Sequence, residues 1–207
     1  MAFEKKYQTT GVKVASPKGL AKWCKVTEPD TRFDPNGTYS VELVCDPNDP
    51  AVQAFIEKLT ALRDALFTEL KDTLPPAKAK ALQLKEVYSE EVDAEGNETG
   101  NIIFKWAMKN VAEKKGAKSI IVVDAHKNII KPIPLVGNGS LIRCAGYASP
   151  YLMELTKQVG VSLKWDSMQL LQLVEYSGGG IDVFDEEEGY VAEQTAGIDC
   201  DDDDADY

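Results

Sequence analysis

The chain holds one histidine and four cysteines in 207 residues, with no CxxC pair. Zinc sites draw on Cys and His clustered at short spacings. Cys24, Cys45, Cys144 and Cys200 are therefore expected as reduced thiols, three of them buried, and neither a metal nor a cofactor is expected. Also missing are GxxxxGK[ST], a GxGxxG after a strand, GxSxG and HExxH, the spacings that build phosphate cradles, nucleophile elbows and zinc-protease sites. His126 stands beside Lys127 in a turn-like stretch, and the carboxylates fall in solvated runs and on helix faces. Catalysis is not expected. No apolar run approaches the roughly 18 residues of a membrane span. The opening "MAFEKKYQTT" lacks the apolar core of a secretory leader, so a cytoplasmic protein with no membrane partner is expected.

Basic residues are absent from the C-terminal end. From Asp182 onward there are twelve acids and no Lys or Arg, which leaves residues 1–181 with 22 acids against 23 bases, a formal charge of +1. The whole-chain charge of −11 thus misdescribes the body. The body is uneven too, at −5 over residues 48–100 and +5 over 101–181, so the molecule is polarised.

Hydrophobic spacing divides the chain. "GTYSVELVC" puts Tyr39, Val41 and Leu43 on one face and Ser40 and Glu42 on the other, the period of a half-buried strand. From Ala51 the spacing changes to three and four, through Val52, Phe55, Ile56, Leu59, Leu62, Leu66 and Leu70, with Asp49 as N-cap and Pro50 in the first turn. Pro75-Pro76 ends that helix, "AKAKALQLKEVY" reads as a second, shorter one, and "SEEVDAEGNETG" reads as a loop. Strand-like runs return in "NIIFKWAMKNV", "KSIIVVDA", "LIRCAGY" and "VSLKWDSMQLLQLVEY", with "AHKN" as a tight hairpin turn before "IIKPIPLV". Six or seven short strands without a βαβ rhythm predict a mainly β protein with a helical insertion at about 50–90. The expected fold is an OB-type five-stranded barrel with extra strands, with a β-sandwich as the alternative. Residues 1–181 form the predicted domain, and "SGGG" hands over to a disordered acidic tail, 182–207.

Aromatic and basic residues interleave on these strands, the pattern by which single-stranded nucleic acid is stacked and neutralised. In "AKWCKV", Trp23 and Lys25 share a predicted face opposite Lys22. In "FKWAMKN", Lys105 and Lys109 oppose Phe104, Trp106 and Met108, whose face includes Ile102. That favours core over platform, but Trp106 is kept with the DNA-binding candidates. In "LIRCAGYASPY", Arg143 and Tyr147 share a face, with Tyr151 beyond, and Trp165 beside Lys164 is a weaker candidate. A tethered polyanion at millimolar effective concentration competes with phosphates for a cationic groove. The alternative is a protein-interaction or virion structural module with the tail as solubiliser.

"GTYSVEL", "VVDAHKNIIKPIPLVGNGS", "GVSLKWDSMQLLQLVE" and "SGGGIDVFDEEEGYVA", in that order before an acidic end with a terminal aromatic, resemble the single-stranded DNA-binding replication proteins of tailed bacteriophages. The likeness runs from about Gly37 to Tyr207. It implies an OB-fold protein, not an enzyme, that coats single-stranded DNA during phage replication, recombination and repair in the cytoplasm of the infected bacterial host. It also implies that the tail contacts the phage DNA polymerase and helicase-primase, here through Asp201, Asp202, Asp203, Asp204, Asp206 and Tyr207, where the family pattern has phenylalanine last. Whether the tail folds onto its own groove or onto a second copy's in a homodimer reads identically. The family's tyrosine maps onto Tyr151, with Tyr147 close by, and its basic groove onto Lys105, Lys109 and Arg143. Trp23, Lys22 and Lys25 rest on the residue pattern alone.

Overall fold

The computed structural model describes residues 11–110 and 119–175; the acidic tail, with Asp201 to Tyr207, lies outside them. The described chain is mainly β. In order it runs β1 Val12–Ala15, β2 Gly19–Asp30, β3 Thr38–Cys45, α1 Pro50–Thr73, α2 Pro76–Lys80, β4 Gln83–Leu84, β5 Ser89–Val92, β6 Glu98–Lys109, β7 Ile121–Val123, β8 Leu141–Met153 and β9 Gln158–Gln172.

Five long strands carry the architecture. β2 pairs with β3, β3 with β6, β6 with β9, β9 with β8, and β8 with β2, so the pairings return to their start. All are antiparallel except β6–β9. Inside sit the alternate residues of each strand, among them Tyr39, Val41, Leu43, Phe104, Trp106, Ile142, Cys144, Leu163 and Trp165. At β8–β9 the register shifts by one between Ala145 and Gly146. A Cβ on Gly146 would meet the Lys164 carbonyl, so only glycine allows that close approach.

Helix α1 begins as its sequence dictates: the Asp49 carboxylate accepts the Ala51 N–H at 2.7 Å, and Pro50 fills the first turn. Its buried stripe of Val52, Phe55, Leu59, Leu66 and Leu70 covers the core, with the Phe55 ring 5.0 Å edge-on from Phe104 and stacked 6.4 Å from Trp106. Among the described residues no helix is long and apolar enough to cross a membrane.

Two local expectations are corrected and a third holds in part. The second helix stops at Lys80, because Leu82 and Val87 are drawn into the core and Gln83–Leu84 pairs with β9, Gln83 N–H donating to the Lys157 carbonyl. The stretch "SEEVDAEGNETG" is a hairpin rather than a loop: Asp93 accepts the backbone N–H groups of Glu95 and Asn97, turning β5 onto β6. The "AHKN" turn exists, with Asp124 accepting the His126 and Asn128 N–H groups at 2.8 Å. The pairing beyond it is a single bridge, Val123 to Ile129, since Pro132 and Pro134 lack the donors a longer ladder needs.

Candidate nucleic-acid interface

The outer face of β2, β3 and β6 holds a groove of about 660 Å³, lined by the aromatics Trp23 and Phe33, the cations Lys25, Arg32 and Lys105, and the acids Asp30, Asp34 and Glu42. β2 brings Trp23 there by an irregularity. Lys22 pairs with Glu42 and Lys25 with Ser40, so β2 spends three residues where β3 spends two, a bulge. The bulge corrects the predicted parity: Lys22 and Lys25 share the outer face, and Trp23 sits at the bulge itself. Trp23 is 62 % exposed and has φ +53°, a left-handed conformation that bulky residues rarely adopt. Its N–H is held by Asn138 Oδ1 at 2.9 Å. An exposed indole on a strained backbone is where a functional side chain is to be sought.

The second aromatic of the groove escaped the sequence reading. Phe33, 93 % exposed, projects from the β2–β3 turn with the Arg32 guanidinium 5.8 Å from its ring centre. The turn is fastened by Asp30, which accepts from the Arg32 backbone and guanidinium, and by Asp34, which accepts from Asn36. Gly37, at φ +81°, passes against Pro29. The available signal was an Arg-Phe pair inside "PDTRFDPNG", where a large apolar ring has no apolar partner at strand or helix spacing.

One row of register continues from this groove around the molecule. Lys25 pairs with Ser40, Ser40 with Ala107, Ala107 with Lys164, Lys164 with Tyr147, and Tyr147 with Lys13 of β1. Every member faces outward. Tyr147 is 37 % exposed and has the Lys13 ammonium 5.9 Å from its ring centre. Strands lie about 4.8 Å apart, so the four steps from Lys25 to Tyr147 span roughly 19 Å of surface.

Most of these cations already have anionic neighbours. Lys22 is 2.8 Å from Glu91, Lys105 3.5 Å from Glu42, Lys109 3.3 Å from Asp34, and Arg32 2.6 Å from Asp30. The Arg32 side chain holds the Asp30 carboxyl down at about 2. Asp34 is lowered by the Asn36 N–H and then by Lys109, and Glu91 by Lys22. Arg143 is half-buried and donates from Nε to the Ser16 carbonyl. Two predicted platforms lie buried: Trp106 is fully covered among Phe55 and the strand interiors, and Tyr151, 7 % exposed, lies against Gly160. Trp165 is likewise buried, its indole N–H donating to the Ser167 carbonyl.

A family model described as "Single-stranded DNA-binding protein, Bacteriophage T7" matches residues 18–173. The chain belongs to this phage family. That match spans every strand of the ring and both walls of the groove. The single-stranded DNA-binding protein of Enterobacteria phage T3 is 25% identical over 205 residues, covering 93% of this chain and 88% of the phage T3 protein. That of Escherichia phage T7 is 26% identical over 173 residues, covering 79% of this chain and 75% of its own length. The crystal structure of gp2.5, a single-stranded DNA-binding protein encoded by bacteriophage T7, superposes with a TM-score of 0.63 at 23% identity, over 88% of this chain and 100% of gp2.5.

Proposed function

We propose that this protein binds single-stranded DNA without sequence preference, through the groove and the register row that leaves it. Trp23 and Phe33 stack bases, Lys25, Lys105, Arg32, Lys13 and Lys164 meet phosphates, and Tyr147 adds a stacking station further along. Lys22, Lys109 and Arg143 lie nearby and contribute to the positive field. The single observation that carries this reading is Trp23, an exposed indole held in left-handed backbone between Lys22 and Lys25, beside the outward row that begins at Lys25 and includes Lys164 and Lys13. Stacking on aromatic faces needs no base-edge recognition, hence the lack of sequence preference. The returning ring of five strands, with its one parallel closure, is read as an OB-type barrel, whose outer face serves such ligands in many proteins.

The carboxylates beside the cations set the strength of binding. A phosphate arriving at Lys105 or Lys109 displaces Glu42 or Asp34 rather than water, so affinity is moderate and exchange is rapid. The twelve acids after Ile181 extend that competition: the tail occupies cationic sites until DNA displaces it, then recruits the phage DNA polymerase and helicase-primase during replication, recombination and repair. Membership of the phage family and the charge split support this division of labour.

Titrating the full chain and a truncation ending at Ile181 with fluorescent oligothymidylate tests both parts. Saturable, salt-sensitive binding that tightens on truncation is expected. Equal affinity of the two proteins would remove the competition, and absence of binding by either would remove the function.

A further inference from the structure

Trp23 lines a second hollow, of about 440 Å³, whose other walls include Thr27, Glu28, Leu135 and Asn138. The volume lies within the roughly 300–1,000 Å³ of small-molecule sites. The two hollows lie off opposite edges of β2: the groove extends over β3 and β6, whereas this hollow extends to the segment that precedes β8. That segment is firmly held. Gly139 N–H donates to the Ala21 carbonyl, Ala21 N–H to the Ser140 carbonyl, and Gly137 N–H to the Val174 carbonyl, each at 2.8 to 2.9 Å. Ser140 Oγ adds a 2.8 Å bond to the Gly137 carbonyl and accepts the Val174 N–H at 3.0 Å.

The Asn138 amide has a fixed sense. Because its Oδ1 accepts the Trp23 N–H, its Nδ2 carries two donors, and these have no partner among the described residues. Leu135, 60 % exposed, supplies an apolar wall with nothing described over it. An aromatic ring, an apolar wall, an unspent amide donor pair and the Lys25 ammonium together suit a nucleobase with its phosphate. They do not suit a peptide strand, which needs an open sheet edge.

We propose that this hollow is a second nucleobase site, so that Trp23 is stacked from both sides when a strand is bound. One base lies in the groove towards Phe33. The next crosses β2 and rests between Trp23 and Leu135, donated to by Asn138 Nδ2 at a keto or ring-nitrogen acceptor on its edge, while Lys25, common to both hollows, neutralises the phosphate between the two bases. The left-handed backbone at Trp23 then has a purpose: it stands the indole up between two sites. This rests on the single-stranded DNA reading above and extends it by one defined base.

The test is photocrosslinking of the full chain to oligothymidylate carrying 4-thiothymidine, followed by peptide mapping, together with titrations of Leu135→Ala and Asn138→Ala. Crosslinks are expected in both the tryptic peptide 128–143, which contains Leu135 and Asn138, and the peptide containing Phe33. Each variant should bind several-fold more weakly than the parent, with a smaller number of nucleotides covered per protein. Binding with crosslinks confined to the Phe33 and Lys105 side, and parental affinity in both variants, would overturn the second site and leave the function intact. No binding by the parent chain would overturn both.

Discussion

Replacing Trp23 by alanine and by glycine separates its role on DNA from the strain it carries. The side chain is 62 % exposed, so about 95 Å² of a ring of up to 250 Å² is covered, and losing it costs about 2 kcal/mol at roughly 25 cal/mol per Å². The left-handed backbone at φ +53° costs an L-residue about 1–2 kcal/mol. Trp23→Ala keeps that strain and should lose about 2 kcal/mol of stability. Trp23→Gly releases it and should fall within about 1 kcal/mol of the parent. Glycine should thus be the more stable of the two, against the usual ranking in a strand, where it is the weaker by about 0.5–1 kcal/mol. On DNA both lose the same stacking, about 1–3 kcal/mol per base, or about 5- to 150-fold in affinity. Urea unfolding followed by circular dichroism gives the first comparison and fluorescence anisotropy of a labelled oligothymidylate the second. A glycine variant less stable than the alanine one would refute the strain argument, and parental DNA affinity in both would refute the stacking role.

Four further outcomes follow from the same geometry. Glu42→Gln frees Lys105 from a neighbour at 3.5 Å; because Lys105 is well exposed the fold should not notice, while DNA binding tightens and the logarithmic salt slope steepens by about 0.7. Trp106→Ala should cost about 3–5 kcal/mol in urea unfolding. Trp106→Phe should cost far less, since the buried Nε1 has no partner among the described residues and its removal relieves an unmet donor. Asp30 and Asp34 have depressed carboxyl pKa values. Their pairs with Arg32 and Lys109 therefore persist above the unfolded carboxylate range and break only as pH falls through the folded values, about 2 for Asp30. DNA affinity measured between about pH 5 and 9 should be flat, and a rise on acidification within that window would contradict the depressed carboxyl values of Asp30 and Asp34. Burial pushes the Cys24 and Cys45 thiols up to about 12 and Cys144 well above the usual value, so none of the three should react with a thiol reagent at pH 8 before unfolding.

How much of this was legible in the sequence depends on the range of the interaction concerned. β3 announced itself because alternation is local: Tyr39, Val41 and Leu43 are buried and Ser40 and Glu42 face out, as spaced. Helix α1 was legible for the same reason, down to its Asp49 cap. The parity of Lys22, Trp23 and Lys25 was not, since a bulge depends on pairing with β3 and on Asn138, 115 residues away. Trp106 and Tyr151 carried the right chemistry on the wrong side: Phe55 from α1 covers one and the β8–β9 hairpin encloses the other. Phe33 was hidden by its setting, as turn residues are read for backbone conformation and rarely for what they display. The row from Lys25 to Lys13 joins six strands, and no spacing along one chain reveals it.

Trp23 is also the natural reporter for the central claim, because Trp106 and Trp165 are buried. Intrinsic tryptophan fluorescence of the full chain, titrated with oligothymidylate at low and at high salt, measures base stacking on Trp23 and phosphate neutralisation together. The account predicts saturable quenching whose affinity falls steeply as salt rises. Absent quenching, or an affinity indifferent to salt, would contradict it.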